Sequence, residues 1–120
     1  MEPYVIPLQS LRLTDVHRVG GKNASLGEMI GQLSALDVRV PGGFATTAHA
    51  YREFLAQEKL DIRIDKLLSD LDVDNIEQLT HCGKAIREWI LATPLPSTLL
   101  SAIESAWTTM SSGQATDMAV

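Results

Sequence analysis

The sequence predicts an α+β fold in which short strands at the front are followed by a helix-rich segment. Brief β-branched runs closed by proline or glycine supply the strands, and apolar residues recurring at three- and four-residue steps supply the helices. Tyr4-Val5-Ile6 reads as a strand that Pro7 confines to an edge or an end, and Val38-Arg39-Val40 alternates like a second before Pro41 and two glycines turn it. Between them Leu26, Met29, Ile30 and Leu33 share one helical face, with Ser25 and Glu28 placed as a capping box and Asn23 as the alternative start. Gly27 and Gly31 each cost a helix interior roughly 1 kcal/mol against Ala, so something must approach closely there; a tight helix-to-sheet contact is the expectation.

Thr46 or Thr47 can cap a second helix carrying Ala48, Tyr51 and Leu55 on one stripe with Phe54 beside it, ending at Glu58 or Lys59. A third, short helix is expected over 64–71. The fourth begins at Asp74 as cap, buries Ile76, Leu79, Gly83, Ile86 and Ile90, and stops at Pro94. The fifth starts near Pro96-Ser97, uses Leu100, Ile103 and Trp107, and breaks at Ser111-Ser112-Gly113; Met118-Ala119-Val120 looks like the opening of a further strand.

The chain's 120 residues suit one domain or a piece of one, and 45% apolar residues can bury a core. A net charge of −5 argues against a nucleic-acid surface or electrostatic attachment to anionic lipid. Cys82 is the only cysteine, so no internal disulfide forms. Met1-Glu2-Pro3-Tyr4 has neither the basic start nor the apolar core of a signal peptide, and no apolar run approaches membrane-spanning length, so the expected location is the cytoplasm.

The most informative stretch is Val19-Gly20-Gly21-Lys22-Asn23-Ala24-Ser25-Leu26-Gly27-Glu28-Met29. Exposed N–H groups and the positive end of a helix dipole attract an anion there, Gly20 and Gly21 let backbone approach it, and Lys22 adds a mobile full charge. A tight turn with a solvated lysine is the commoner meaning of such residues, and residue types alone leave both readings open.

The words around this stretch decide between them. Asp15-Val16, the run from Arg18 to Ile30, Val40-Pro41 with Gly43-Phe44-Ala45-Thr46-Thr47-Ala48, then Ile86-Arg87, Trp89-Ile90, Thr93-Pro94 and Ala119-Val120 resemble the N-terminus of the phosphoenolpyruvate synthases (pyruvate, water dikinases) nearly end to end. Pyruvate phosphate dikinases and rifampin-type antibiotic kinases share the shorter Gly-Gly-Lys and Pro-x-Gly-Phe words; the unbroken run through Ile30 looks most like the synthases.

The resemblance implies that residues 1–120 are the first part of an ATP-grasp-like nucleotide-binding domain, truncated before its next phosphate-binding arginine. It also implies a phosphotransferase parent using ATP, Mg²⁺ and pyruvate. The β-phosphoryl group of ATP would pass to a histidine beyond Val120 and then to pyruvate, releasing AMP and phosphate. Lys22, with Gly20 and Gly21, is the implied nucleotide-binding set. No catalytic acceptor and no metal ligand is expected in this chain, Mg²⁺ being held by phosphates and by residues elsewhere. The parent is expected to be a homo-oligomer. The isolated chain is expected to be inactive, to expose apolar surface and to self-associate. A free-standing, non-catalytic binding module is the alternative of a different class.

Other constellations read as structural. Asp70, Asp72 and Asp74 mimic a calcium loop, but Asn75 stands where glycine is required and His81 where a glutamate belongs. His17, His49 and His81 have no metal-ligand spacing, Cys82 reads as a small half-buried apolar residue, and Trp89 and Trp107 read as packing contacts. Arg87 has no local helical partner and reads as solvated. Thr46 and Thr47 are candidates to line the nucleotide cleft, although capping accounts for them.

Overall fold

The computed structural model describes residues 2–111 and has the α+β architecture. The strands are β1 (Val5–Pro7) and β2 (Phe44–Thr46), and the helices are α1 (Val16–Val19), α2 (Gly21–Ser34), α3 (Ala48–Ala56), α4 (Leu60–Ser69), α5 (Ile76–Ala92) and α6 (Ser97–Ser111). Two compact units are formed, one from the described residues up to Tyr51 together with those from Ser97, the other from Arg52–Pro96. The expected break after Ser111 and the strand at 118–120 lie outside the described residues.

In the first unit β1 and β2 pair antiparallel with Val5 opposite Thr46, Ile6 opposite Ala45 and Pro7 opposite Phe44. Pro7 sits at the strand end, where its missing N–H costs no ladder bond. The pairing is extended by Leu8 N–H to the Gly43 carbonyl (2.9 Å) and Thr47 N–H to the Tyr4 carbonyl (3.0 Å).

The second strand is therefore six residues later than the alternation of Val38-Arg39-Val40 implies. Asp37 takes positive φ (58°), Val38 N–H donates back to the Leu33 carbonyl (3.0 Å) and Asp37 N–H to that of Ser34 (3.2 Å), which closes α2 with a Schellman-type turn. With Val38 committed to the helix end and Pro41 lacking a donor, 38–40 forms no strand.

Helix α2 starts at Gly21, four residues before Ser25, so the Ser25/Glu28 capping box is not used. Its buried face also differs from the stripe chosen by side-chain size. Ala24, Gly27 and Ile30 are buried and Leu26 packs beside them, whereas Met29 is exposed.

The reason is backbone approach. A Cβ built on Gly27 would lie 2.5 Å from the Leu11 Cβ, 2.6 Å from the Leu8 carbonyl oxygen and 2.7 Å from that of Leu11. The close neighbour is thus the 3-10 turn Leu8–Ser10 and the residue after it, not a sheet. Around this contact gather Ile6, Leu8, Leu11, Val19, Ala24, Ile30 and Ala45, with Leu11 fully buried and Leu26 and Val40 packed at the margin. Helix α6 lies against β1 and buries Leu99, with Ile103 and Trp107 half-buried and Leu100 exposed.

Thr47 caps α3: its Oγ1 accepts from Ala50 N–H (3.1 Å) and donates to the Pro3 carbonyl (2.7 Å). Ala50 and Phe54 form the buried face of α3; Ala48 and Leu55 are half-buried and Tyr51 is exposed.

In the second unit Glu58 and Lys59 both take left-handed backbone (φ 52° and 56°), which ends the α3 path as expected. Helix α4 starts at Leu60, earlier than the expected 64–71, and packs against α5. The cap of α5 is Asn75, not Asp74: Asn75 Oδ1 accepts from Gln78 N–H (3.1 Å) while Asp74 N–H donates to Asp72 Oδ1 (3.0 Å) inside the turn. Of the apolar stripe on α5, Gly83, Ile86 and Ile90 are half-buried, Ile76 is 76% exposed and Leu79 is exposed; Cys82 is the buried residue.

Gly27→Ala is expected to destabilise the chain by about 3 kcal/mol, because backbone oxygens cannot yield as a side chain can. Gly31→Ala meets only the flexible Arg12 guanidinium at 3.3 Å and should cost under about 1 kcal/mol. Denaturant unfolding of the two variants checks the contrast.

Candidate phosphate-facing helix start

The residues singled out by the sequence meet at one corner. Gly20 has φ 83° and ψ 164°, a region open essentially to glycine alone. Its N–H closes α1 on the Val16 carbonyl (2.8 Å), and its carbonyl opens α2 by accepting from Ala24 N–H (3.1 Å). Gly21 is already the first residue of α2, so only one of the two glycines serves as a hinge. Asn23 Nδ2 donates to the Val19 carbonyl (3.0 Å), which ties the end of one helix to the start of the next.

Among the described residues no side-chain cap bond closes the start of α2, whose N-cap is Gly20. The first N–H groups of a helix have no partner within it, so those of Gly21, Lys22 and Asn23 open outward at its positive end. A Cβ on Gly20 or Gly21 would meet nothing within 4 Å, so the space beside the corner is open. Lys22 is exposed and makes no ion pair among the described residues. An open, uncapped helix start with a free ammonium group beside it is chemically suited to an oxyanion.

The neighbouring cations are engaged. Arg18 donates through Nε to Glu2 Oε1 (2.8 Å) and through a terminal nitrogen to Asp15 Oδ1 (3.0 Å). Asp15 Oδ2 accepts the backbone N–H of Arg12 (2.9 Å), and the Arg12 guanidinium donates to the carbonyls of Leu11 (2.7 Å) and Gln9 (3.0 Å) and faces Glu28 (3.7 Å). The Arg12 N–H, followed by Arg18, holds the Asp15 carboxyl below the usual carboxylate range. Glu2, followed by Asp15, pushes the Arg18 guanidinium above its ordinary value. Asp15 and Arg18 stand at the i, i+3 spacing of a local ion pair, a signal that the family words overshadow.

The other candidates lie elsewhere. The Thr47 hydroxyl is committed to capping, and Thr46 is exposed on β2. A groove lined by Ser34, Asp37, Arg39 and Pro41 sits at the far end of α2 from Lys22, at a rise of about 1.5 Å per residue. Arg87 is exposed, as the sequence implies. Trp89 carries the Arg63 guanidinium over its ring at 4.5 Å, a contact between residues too far apart in sequence to be read from local spacing. His49 stacks on Tyr4 with ring centroids 5.4 Å apart. Among the described residues no group of three His, Cys, Asp or Glu side chains converges as a metal site. No helix among them is long and apolar enough to cross a membrane.

An α+β chain with a glycine corner, an open helix start and a lysine unpaired among the described residues is compatible with a nucleotide-binding domain, and the family match supplies that class. Residues 16–120 match the family described as pyruvate phosphate dikinase, AMP/ATP-binding domain, and the chain belongs to that family. It is 60% identical over 107 residues to a phosphoenolpyruvate synthase of Neisseria meningitidis serogroup B, covering 89% of this chain and 14% of that protein. It is 49% identical to phosphoenolpyruvate synthases of Pseudomonas aeruginosa over 113 residues (94% of this chain) and of Escherichia coli over 109 residues (91%), again spanning 14% of each relative.

Asp15 gives the corner a pH dependence. Its folded pKa lies below its unfolded one, so its contribution to stability is complete above the ordinary Asp value of about 3.9 and is lost as pH falls through the lowered folded value. Unfolding measured against pH should show Asp15→Asn lacking that acid-side component of the wild-type loss.

Proposed function

We propose that the chain is the opening part of the ATP-binding domain of a phosphoenolpyruvate synthase, ATP-grasp-like in the whole protein, and that Gly20, Gly21 and Lys22 face the polyphosphate of ATP. The observation that carries this is the pairing of an uncapped helix start at a positive-φ glycine with an exposed lysine that makes no ion pair among the described residues. The relatives' shared name supports the parent reaction, in which ATP, pyruvate and water give AMP, phosphoenolpyruvate and phosphate.

In this reading the α2 N–H groups orient the phosphate chain, and Lys22 neutralises charge that develops as phosphoryl groups leave, an electrostatic role. Mg²⁺ is held by the phosphates and by residues outside these 120. The acceptor histidine and the pyruvate site likewise belong to the rest of the parent, a cytoplasmic homo-oligomer. The chain alone is inactive, and exposed apolar residues such as Ile76 and Leu91 (85% exposed) favour its self-association.

In the full-length synthase, Lys22→Met should lower kcat about 100-fold with a smaller change in KM for ATP; steady-state kinetics showing wild-type kcat contradicts the assignment. Calorimetry of the isolated chain with MgATP should give a Kd of about 1 mM or weaker, since a pocket that holds a small molecule encloses most of its surface and only part of the wall is here. Micromolar binding contradicts that partition of the site.

A further inference from the structure

We propose that Arg18 is a positioning residue for Lys22: held between Glu2 and Asp15, its guanidinium fixes α1 and, through α1, the Gly20 corner from which Lys22 projects. This rests on the reading of Lys22 as the phosphate-facing cation.

Helix α1 has four residues, too few to hold itself as an isolated helix, so its direction is imposed by what it touches. Val19 anchors one side in the core, and Asn23 holds the Val19 carbonyl. Arg18 secures the other side through two separate donors of a planar group, which a lysine in its place cannot reproduce. Its partner Asp15 is itself fixed: Oδ2 accepts from Arg12 N–H, and the Asp15 N–H donates to the Arg12 carbonyl (2.9 Å). Arg12 faces Glu28, and its guanidinium lies over Gly31 on α2. The contacts close a ring from α2 through Arg12, Asp15, Arg18, α1 and Gly20 back to α2, so the corner is braced from both sides.

Charge explains why Arg18 is a strut and not a second phosphate ligand. One guanidinium lies between two carboxylates, so the group formed by Glu2, Arg18 and Asp15 carries net negative charge and repels an oxyanion. Lys22 has no carboxylate partner among the described residues.

The test is a double-mutant cycle on kcat in the full-length synthase. Arg18→Met is expected to lower kcat about tenfold through misplacement of the corner, and to change it less than about twofold in the Lys22→Met background, where there is no ammonium left to place. An equal loss in both backgrounds, or no loss in either, overturns the positioning role while leaving Lys22 intact. A Lys22→Met enzyme with wild-type kcat overturns the reading beneath it instead. Should Arg18→Met fail to fold, Asp15→Asn, which keeps side-chain shape and removes the carboxylate, carries the same cycle: the same non-additivity is expected, and an additive loss overturns the proposal.

Discussion

The missing side chain at position 27 sets the geometry of the first unit. Because Gly27 presents only backbone, α2 can press against the carbonyls of Leu8 and Leu11 at a distance no Cβ tolerates, and Leu11 becomes fully buried beneath it. That contact fixes the position of α2 relative to the segment leaving β1. Once α2 lies there, Ala24 and Ile30 close on the same apolar cluster as Ile6 and Ala45, so helix and strand pair share one core. The direction in which α2 begins, and hence where Gly20 must turn the chain, follows from this docking. Gly27 costs roughly 1 kcal/mol of helix propensity, and the close packing it permits offsets that cost.

The cations around this corner divide by role. Arg12 and Arg18 are surrounded by carbonyls and carboxylates and act as ties between segments, while Lys22 stands at a helix start with no counter-charge among the described residues. In a chain of net charge −5, that leaves a small electropositive feature where backbone N–H groups also point outward. The planar fork suits the two arginines to bridging, and the single flexible ammonium suits the lysine to following an anion whose charge moves during reaction.

The second unit has a different character. Within it Gln57 Nε2 donates to the Pro94 carbonyl (2.7 Å), Arg63 covers Trp89, and Cys82 is buried where its sequence context implies a half-buried apolar residue. The outer positions of its apolar stripe, Ile76 and Leu79, remain exposed. The chain spans 14% of the length of each of the three relatives named above.

The sequence by itself determined the α+β class, the strand ending at Pro7, the presence of a helix following the glycine pair, a threonine cap for α3 at Thr46 or Thr47, and the family, because these depend on local conformational preference or on words of fixed spacing. It misplaced the second strand, since the demand of Leu33 and Ser34 carbonyls for donors at the end of α2 takes precedence over the alternation of Val38 and Val40. It chose Leu26, Met29, Ile30 and Leu33 for a face on which Ala24 and Gly27 are the better buried, because periodicity ranks residues by size while close backbone approach selects the small ones. The brace that joins Glu2, Asp15 and Arg18 depends on a contact across 16 residues, and the choice of Gly20 over Gly21 as the hinge depends on where α2 docks. Only the tertiary structure decides such matters, because they are set by which segments meet and not by the residues on either side.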